Sequence, residues 1–165
     1  MRDQGLKTIV CRQIDGTTKE AKVEDMTFRP SAYGLVVRDG HILLSPQWDG
    51  YDFPGGGIDL GERIEDAVVR EVKEETGVEV TCGRLLHVAD DFFIRPKSET
   101  PVHSILLFYE CSYVGGELST DGFSVWEKDI LKIAEWIPLE KVPALKFYNP
   151  IDSARLIAAM QNRKI

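Results

Sequence analysis

The feature that most constrains the fold is a helical hydrophobic period that runs from about Ile64 to Thr76. Apolar residues, among them Ala67, Val68 and Val72, recur at three- and four-residue steps, and charged residues occupy most positions between them. This pattern predicts an amphipathic helix that packs one face on a core. Gly77 follows it at the position where a left-handed residue commonly ends a helix.

Extended segments and turn signals surround the predicted helix. Two Asp-Gly dipeptides, at residues 15–16 and 39–40, each separate a pair of extended runs and therefore predict tight hairpin turns. The four runs are Lys7–Ile14, Thr17–Val23, Tyr33–Arg38 and His41–Ser45. Further strands are predicted at Leu85–Val88, Phe92–Arg95, Ser104–Tyr113 and Trp136–Leu139, and a closing helix at Ile151–Asn162. This order predicts an α+β domain in which helices cover a sheet.

Length and composition indicate one domain with an ordinary core. The chain has 165 residues, of which 43% are hydrophobic, and no linker or repeat divides it. Its net charge of −7 opposes binding to long nucleic acid or to an anionic membrane through a positive field. No run is long and apolar enough for a membrane span, and residues 1–5 lack the apolar core of a signal peptide. Three widely spaced cysteines are typical of reduced buried thiols, so a cytoplasmic location is expected.

Residues 56 to 78 also hold a fixed order of residue types. They follow the spacing G-x5-E-x7-R-E-U-x-E-E-x-G-U, in which U is aliphatic. The fixed positions are Gly56, Glu62, Arg70, Glu71, Val72, Glu74, Glu75, Gly77 and Val78. This stretch carries four of the seven net negative charges of the chain, so the acidity is concentrated rather than diffuse.

Three glutamates of this stretch are close neighbours on the predicted helix. Glu71, Glu74 and Glu75 stand at positions i, i+3 and i+4, where Cβ atoms lie about 5–6 Å apart. Like charges at that separation repel each other unless a cation lies between them, and carboxylate oxygens suit hard cations such as Mg²⁺ or Mn²⁺. The three glycines at positions 55–57 allow the backbone to approach a ligand closely. The pattern therefore predicts a divalent metal site.

The full spacing resembles the box that defines the Nudix hydrolases, and the similarity extends from about Pro30 to Met160. The resemblance implies a single domain over residues 1–165 with a Nudix-type α/β/α sandwich around a mixed central β-sheet. Residues 30–160 would form the core and residues 1–29 an N-terminal hairpin extension. That extension could pair with the sheet, cap the pocket or contact a second subunit. Family members also lead us to expect a homodimer.

The resemblance implies an enzyme that uses divalent cations and water to cleave a nucleoside diphosphate linked to another moiety. Metal ligands by matching position would be Glu71, Glu74 and Glu75, with one of them or a metal-bound hydroxide acting as the base. Gly55 would contribute its carbonyl oxygen, Glu62 an outer or water-mediated contact, and Arg70 would orient Glu71. A further acidic ligand is expected from a later loop, where Glu127 is preferred over Asp121 and Asp129.

Residues outside the box provide candidates for substrate binding. Aromatic side chains stack on nucleoside groups, and guanidinium groups hold phosphate oxygens through paired donors. On this basis the substrate-binding candidates are Arg29, Trp48, Tyr51, Phe92 and Arg95, and Phe93 beside Phe92 could also line the pocket mouth. The three histidines, at positions 41, 87 and 103, are interpreted as structural because they are dispersed in strand-like runs.

Two questions stay open at the level of sequence. The substrate class includes nucleoside triphosphates, nucleotide sugars and ADP-ribose-type compounds. The alternative to an enzyme is a catalytically silent Nudix domain that binds a nucleotide or a protein, although the intact glutamates favour hydrolysis.

Overall fold

The computed structural model describes residues 7–125 and 127–162, which form ten strands and two α-helices. The first six residues of the predicted extension lie outside this range. The strands are β1 Thr8–Arg12, β2 Thr18–Lys22, β3 Thr27–Phe28, β4 Ser31–Arg38, β5 His41–Gln47, β6 Gly50–Asp52, β7 Gly55–Gly57, β8 Glu79–Ile94, β9 Pro101–Gly115 and β10 Glu135–Pro138. The helices are α1 Ile64–Thr76 and α2 Ser153–Gln161. Neither helix is long and apolar enough to cross a membrane.

The strands form one mixed sheet, which confirms the predicted α/β/α sandwich. Its main path runs β10-β5-β4-β9-β8-β1-β2, with β3 on β9, β6 on β5 and β7 on β4. The central pair β4 and β9 is parallel, whereas β8 and β9 form a long antiparallel hairpin. Strand β7, the glycine-rich segment, pairs antiparallel with the start of β4. This pairing holds the glycines next to the N-terminal half of the sheet's central strand.

Each helix covers one face of the sheet. Val68 and Val72 of α1 lie in one buried cluster with Val36 of β4, whereas Ile157 of α2 lies in a second cluster with Leu35. Successive residues of a strand point to opposite faces, so adjacent residues of β4 pack into the two different clusters. The predicted bounds of α1 are confirmed, and Gly77 ends it with φ of 79°.

The two Asp-Gly turns differ from each other. At Asp39-Gly40 both residues have positive φ, 48° and 74°, as a two-residue hairpin turn requires. The N-terminal hairpin is confirmed as β1 and β2, but only Gly16 of its turn has positive φ. There the Asp15 carboxylate accepts hydrogen bonds from the backbone and hydroxyl of Thr17, which favours a longer loop.

Two other boundaries differ from the predictions. The predicted strands Leu85–Val88 and Phe92–Arg95 fall in the single strand β8, which ends at Ile94. Register shifts near Cys82, Leu85 and His87 interrupt its alternation, so the sequence pattern looked like separate strands. The closing helix begins at Ser153 rather than Ile151, since the Asp152 side chain accepts the backbone N–H of Arg155 and so caps it.

Candidate active site

A cavity of about 440 Å³ opens between the end of α1, strands β4 to β8 and the loop before β10. Its wall contains Gly55 and three residues of the fixed-order stretch 56–78, namely Gly56, Glu71 and Glu75, together with Glu127 from the loop. The sheet brings these residues together because β7, which carries the glycines, pairs with β4 directly beside α1. The cavity is therefore the candidate active site.

Helix geometry determines which glutamates enter the cavity. Glu71 and Glu75 are separated by a little more than one turn, so both project from the buried side of α1 and are only 7% and 8% exposed. Glu74 lies about 100° around the helix from Glu75. Its side chain is 43% exposed and contacts Arg70 instead of lining the cavity. The three predicted metal-binding glutamates thus do not converge as one group.

A carboxylate from outside the helix completes the cluster. Ligand oxygens of Glu71, Glu75 and Glu127 all lie within 4.8 Å of one another. Of the three loop acids considered from the sequence, only Glu127 joins this cluster among the described residues. Asp129 binds Lys97 at 2.8 Å, and Asp121 lies on an exposed turn. Glu127 is fixed in place by the Ser124 backbone N–H, which donates to its Oε2 at 2.6 Å.

The innermost carboxylate is that of Glu75. Its Oε2 accepts hydrogen bonds from the Gly55 backbone N–H at 3.1 Å and from the Ser45 hydroxyl at 3.2 Å. Burial raises the pKa of Glu75 well above its ordinary value, and the negative charge of Glu71 raises it further. These two effects outweigh the hydrogen bonds, so the ionised form needs a cation nearby to be favourable.

The ionised form of Glu71 is also disfavoured by its surroundings. Burial raises its pKa, although Arg70 opposes the shift by donating from Nη1 to Oε1 at 2.8 Å. The charges of Glu74 and Glu127 raise the pKa of Glu71 as well. Among the described residues, the cluster has three carboxylates and one contacting guanidinium, that of Arg70, so negative charge is in excess.

Arg70 connects the helix to the loop before it. Its Nε and Nη2 donate to the two carboxylate oxygens of Glu62 at 2.7 and 2.8 Å, and Nη2 also donates to the Gly57 carbonyl at 3.1 Å. The hydrogen bonds from Arg70, with one from the Asp59 backbone N–H, lower the pKa of Glu62 to about 2. Glu62 lies outside the cavity wall, so its predicted outer contact to a metal stays a prediction.

The glycines are required because the backbone passes against two functional side chains. A Cβ atom on Gly56 would lie 2.7 Å from the carboxylate of Glu71, and one on Gly57 would lie 2.6 Å from the guanidinium of Arg29. Any other residue would displace these groups. Gly55 contacts the cluster through its N–H to Glu75, and the predicted role of its carbonyl stays a prediction.

The donor set of the cluster fits a divalent cation. It offers three carboxylate groups, of which Glu71 and Glu75 are buried, and all are hard oxygen ligands. Mg²⁺ and Mn²⁺ prefer such ligands, and a cation would offset the repulsion that raises the pKa values of both buried glutamates.

Three predicted substrate-binding residues line the cavity: Arg29, Trp48 and Arg95. Arg29 donates to Ser31, and the ring of Trp48 packs edge-on against Tyr148. Phe93, the neighbour of Phe92 in sequence, lines the cavity as well.

The structure places two other predicted residues away from the cavity. Phe92 points to the opposite face of β8 from Asp91 and Phe93, and its ring stacks on His103 with centroids 4.4 Å apart. Tyr51 is half-buried against the second core cluster, and its hydroxyl donates to Glu135 at 3.3 Å. Neither residue lines the candidate cavity, so their contact with a substrate stays a prediction that this geometry does not favour.

Sequence reasoning missed three charged residues of the wall. Arg12 and Asp91 form a two-bond ion pair across 79 positions of sequence, and no local pattern indicates such a pairing. Asp52 lies just before the glycine-rich segment, where its proximity to Pro54 and Gly55 was the available signal. Burial raises the pKa of Asp52 to about 6, despite hydrogen bonds from Asn149 and Phe53.

Comparison with known proteins identifies relatives of this fold. The family model described as NUDIX domain matches residues 27–160. An ADP-ribose pyrophosphatase of Methanocaldococcus jannaschii is 34% identical over 119 residues, which is 69% of this chain and 64% of that protein. An NAD-capped RNA hydrolase NudC of Pseudomonas aeruginosa is 34% identical over 120 residues, which is 70% of this chain and 38% of that protein.

A solved structure agrees with these matches in fold. The crystal structure of an ADP-ribose pyrophosphatase from Streptococcus suis superposes with a TM-score of 0.60 at 23% identity, and covers 83% of this chain and 93% of that one. This chain spans less than two thirds of the length of the curated relatives reported above. The family match covers most of the chain, including the helix and the loop that form the acidic cluster. The chain therefore belongs to the Nudix hydrolase family.

Proposed function

We propose that this protein is a divalent-metal-dependent hydrolase that cleaves a pyrophosphate linkage in a small nucleoside diphosphate derivative. The observation that carries the proposal is the convergence of the Glu71, Glu75 and Glu127 carboxylates within 4.8 Å in a cavity of about 440 Å³. The activities named for the Methanocaldococcus jannaschii and Pseudomonas aeruginosa relatives support the same reaction class. Nucleoside triphosphates, nucleotide sugars and ADP-ribose-type compounds are the candidate substrates.

In this proposal Glu71, Glu75 and Glu127 hold the cation, and Mg²⁺ is the expected ion with Mn²⁺ as a substitute. Gly55, Glu62 and Glu74 contribute a carbonyl or outer contacts. A bound divalent cation neutralises pyrophosphate charge and lowers the pKa of the attacking water. Glu71, Glu74 and Glu75 are the candidates for the group that takes the proton from that water.

The remaining residues of the proposal orient the acidic cluster or bind the substrate. Arg70 orients Glu71 through the hydrogen bond from its Nη1, and it ties the helix to Glu62. Arg29 has no acidic partner among the described residues, and its guanidinium is free to hold phosphate oxygens beside Gly57. Trp48, which is 39% exposed at the cavity, offers a face for a nucleoside base.

The cellular setting belongs to the same proposal. We expect a cytoplasmic protein that acts on a small nucleotide, without a nucleic-acid polymer or a membrane as partner. The net charge of −7 supports this expectation. A homodimer is expected, and sedimentation at several protein concentrations would test it.

The alternative is a domain that binds a nucleotide or a protein without cleaving it. Loss of one glutamate would be enough to silence the site, yet Glu71, Glu74 and Glu75 are all present. The buried position of two of them, with raised pKa values, favours a cation-dependent role.

A substrate panel tests the proposal directly. Release of phosphate-containing products is measured with Mg²⁺ or Mn²⁺ for the wild type and for the Glu74→Gln and Glu75→Gln variants. Glu65→Gln, on the exposed first turn of α1, is the matched control. We expect turnover by the wild type and the control, and a loss of about 100-fold or more in Glu75→Gln. Absence of turnover for every compound at millimolar cation would contradict the proposal that the protein is a hydrolase.

A further inference from the structure

The N-terminal hairpin contributes to the cavity wall. Strand β1 joins the sheet in parallel with β8, where Arg12 lies opposite Phe93. This pairing places Arg12, Gln13 and Ile14 in the wall, on a segment outside the core expected from the sequence. Of the three roles considered for the extension, the described residues therefore support sheet pairing and pocket capping together.

Arg12 is held in one orientation by a buried acid. Its Nε and Nη2 donate to the two oxygens of Asp91 at 2.7 and 2.6 Å, and Asp91 is only 4% exposed. This two-bond contact fixes the plane of the guanidinium and neutralises its charge. Nη1 contacts no acceptor among the described residues, so both of its hydrogens are available to a ligand.

A second oriented carboxyl group lies in the same wall. The Oδ1 of Asp52 accepts the Phe53 backbone N–H and the Asn149 side-chain amide, each at 2.8 Å. Within the described part of the chain, its Oδ2 has only a long contact of 3.4 Å with Gln47. Arg12, Asp52 and Asp91 all line the same cavity. The charge of Arg12 lowers the pKa of Asp52, and that of Asp91 raises it.

A hydroxyl group matches this wall because it both accepts and donates hydrogen bonds. It can accept from Nη1 of Arg12 and donate to a carboxylate such as Asp52. A phosphate can only accept from Arg12, and it would lie near the carboxylate of Asp52, whose negative charge repels it. The ion pair leaves Arg12 without the net positive charge that would attract an additional phosphate.

We propose that Arg12, positioned by Asp91, and Asp52 form a subsite for a neutral, hydroxyl-bearing group attached to the diphosphate. This inference rests on the proposed function and narrows its substrate class. The favoured substrate is a nucleoside diphosphate joined to a sugar, and a nucleoside triphosphate is disfavoured. Arg12 and Asp52 contact the substrate, whereas Asp91 is a positioning residue.

The test compares two sugar-linked compounds, ADP-ribose and UDP-glucose, with dGTP. For each compound kcat and KM are measured with Mg²⁺, and Kd is measured by calorimetry with Ca²⁺ in its place, so that binding is read separately from turnover. The informative variant is Arg12→Lys, because an ammonium group keeps a charge partner for Asp91 but loses the donor that faces the ligand. Lys22→Ala, an exposed change on β2 of the same hairpin, is the control.

We expect the wild type to prefer the sugar-linked compounds. In Arg12→Lys, the ratio of Kd for dGTP to Kd for each sugar compound should fall by about tenfold or more. The loss in kcat/KM should come mainly from KM, and Lys22→Ala should keep the wild-type ratio. A melting temperature for each variant shows that it is folded.

Two results would overturn the subsite: an unchanged ratio in Arg12→Lys, or a wild type that binds dGTP more tightly than both sugar compounds. A protein that binds the sugar compounds in an Arg12-dependent way but cleaves nothing would support the subsite and contradict the hydrolase. Turnover that does not depend on Arg12 would contradict only the subsite.

Discussion

Arg70 holds the carboxylate of Glu62 through both oxygens, with Nε at 2.7 Å from Oε1 and Nη2 at 2.8 Å from Oε2. The same guanidinium reaches Glu71, so it links the loop before α1 to the acidic cluster. Lysine cannot make this fork, because its single ammonium is a point donor on a flexible stem. We expect Arg70→Lys to lower kcat/KM by about 10- to 100-fold, as for other outer contacts of metal sites.

The Arg70→Lys result is checked by steady-state kinetics at several cation concentrations. The control is Lys73→Arg, a change on the exposed side of the same helix, where Lys73 contacts Glu79. Equal kinetics for Arg70→Lys and the wild type would show that the fork is not required.

Glu127 and Asp129 provide a direct comparison of two neighbouring acids. Only Glu127 joins the cluster, whereas Asp129 is paired with Lys97 at the surface. Glu127→Gln should weaken Mn²⁺ binding by at least about tenfold, because it removes a ligand charge. Asp129→Asn should bind Mn²⁺ as the wild type does. Titration calorimetry of the two variants measures this difference, and similar affinities would exclude Glu127 as a ligand.

Removal of the cation should change stability in a way that depends on Glu75. A cation at 100 times its Kd adds about 2.7 kcal/mol to the free energy of unfolding, which raises Tm by several degrees for a chain of this size. In Glu75→Gln most of this increase should be lost. In EDTA the variant should be at least as stable as the wild type at pH 8, since it lacks a buried charge repelled by Glu71.

Calorimetric scans with Mn²⁺ and with EDTA check this prediction, and Glu65→Gln is again the exposed control. An undiminished Mn²⁺ effect in Glu75→Gln would be inconsistent with a metal at the cluster.

Full activity should require glycine at position 56. A Cβ at this position would lie 2.7 Å from the Glu71 carboxylate and would push it out of place. Displacement of a reacting group by about 1 Å can cost about 100-fold in rate, so Gly56→Ala should lose activity on that scale. Gly115→Ala is the matched control, because its nearest contact would be an exposed Glu79 oxygen at 3.7 Å. Comparable activity in the two variants would refute the requirement.

Asp52 gives the stability a defined pH dependence. Its pKa of about 6 in the folded protein exceeds the ordinary value of 3.8, so the folded state holds its proton more tightly than the unfolded state. The contribution of Asp52 to the free energy of unfolding is therefore largest below about pH 4 and declines until about pH 6. Chemical denaturation in EDTA at pH 4.5 and 7 should show a smaller decline in Asp52→Asn than in the wild type. An identical decline would contradict the shifted pKa.

The helix and its main site residues follow from sequence because their geometry is local. A period of 3.6 residues fixes α1, and the separation of Glu71 from Glu75 places both on its buried side. The same arithmetic shows why Glu74 points away: adjacent residues project about 100° apart. Spacing alone suggested three equivalent glutamates, whereas the direction of the core distinguishes them.

The contacts between distant strands could not be read in this way. The pair Arg12 and Asp91 depends on how β1 docks on β8, which is a matter of register rather than of residue spacing. For Phe92 and Phe93, a shift of one position exchanges the faces of the strand, so the sequence offered no basis for choosing between them.

Because β1 attaches to β8, the residues that form the acidic cluster and the residues that shape another part of the cavity wall lie in different segments of the chain. The carboxylates of the acidic cluster belong to one helix and one loop, whereas another part of the cavity wall comes from a hairpin that pairs with β8 at Arg12 and Phe93. Substitutions in the hairpin can therefore reshape one side of the cavity without disturbing the packing that aligns Glu71 and Glu75. Variants of this protein that exchange only residues 8–22 would be a practical starting library for altered substrate selectivity.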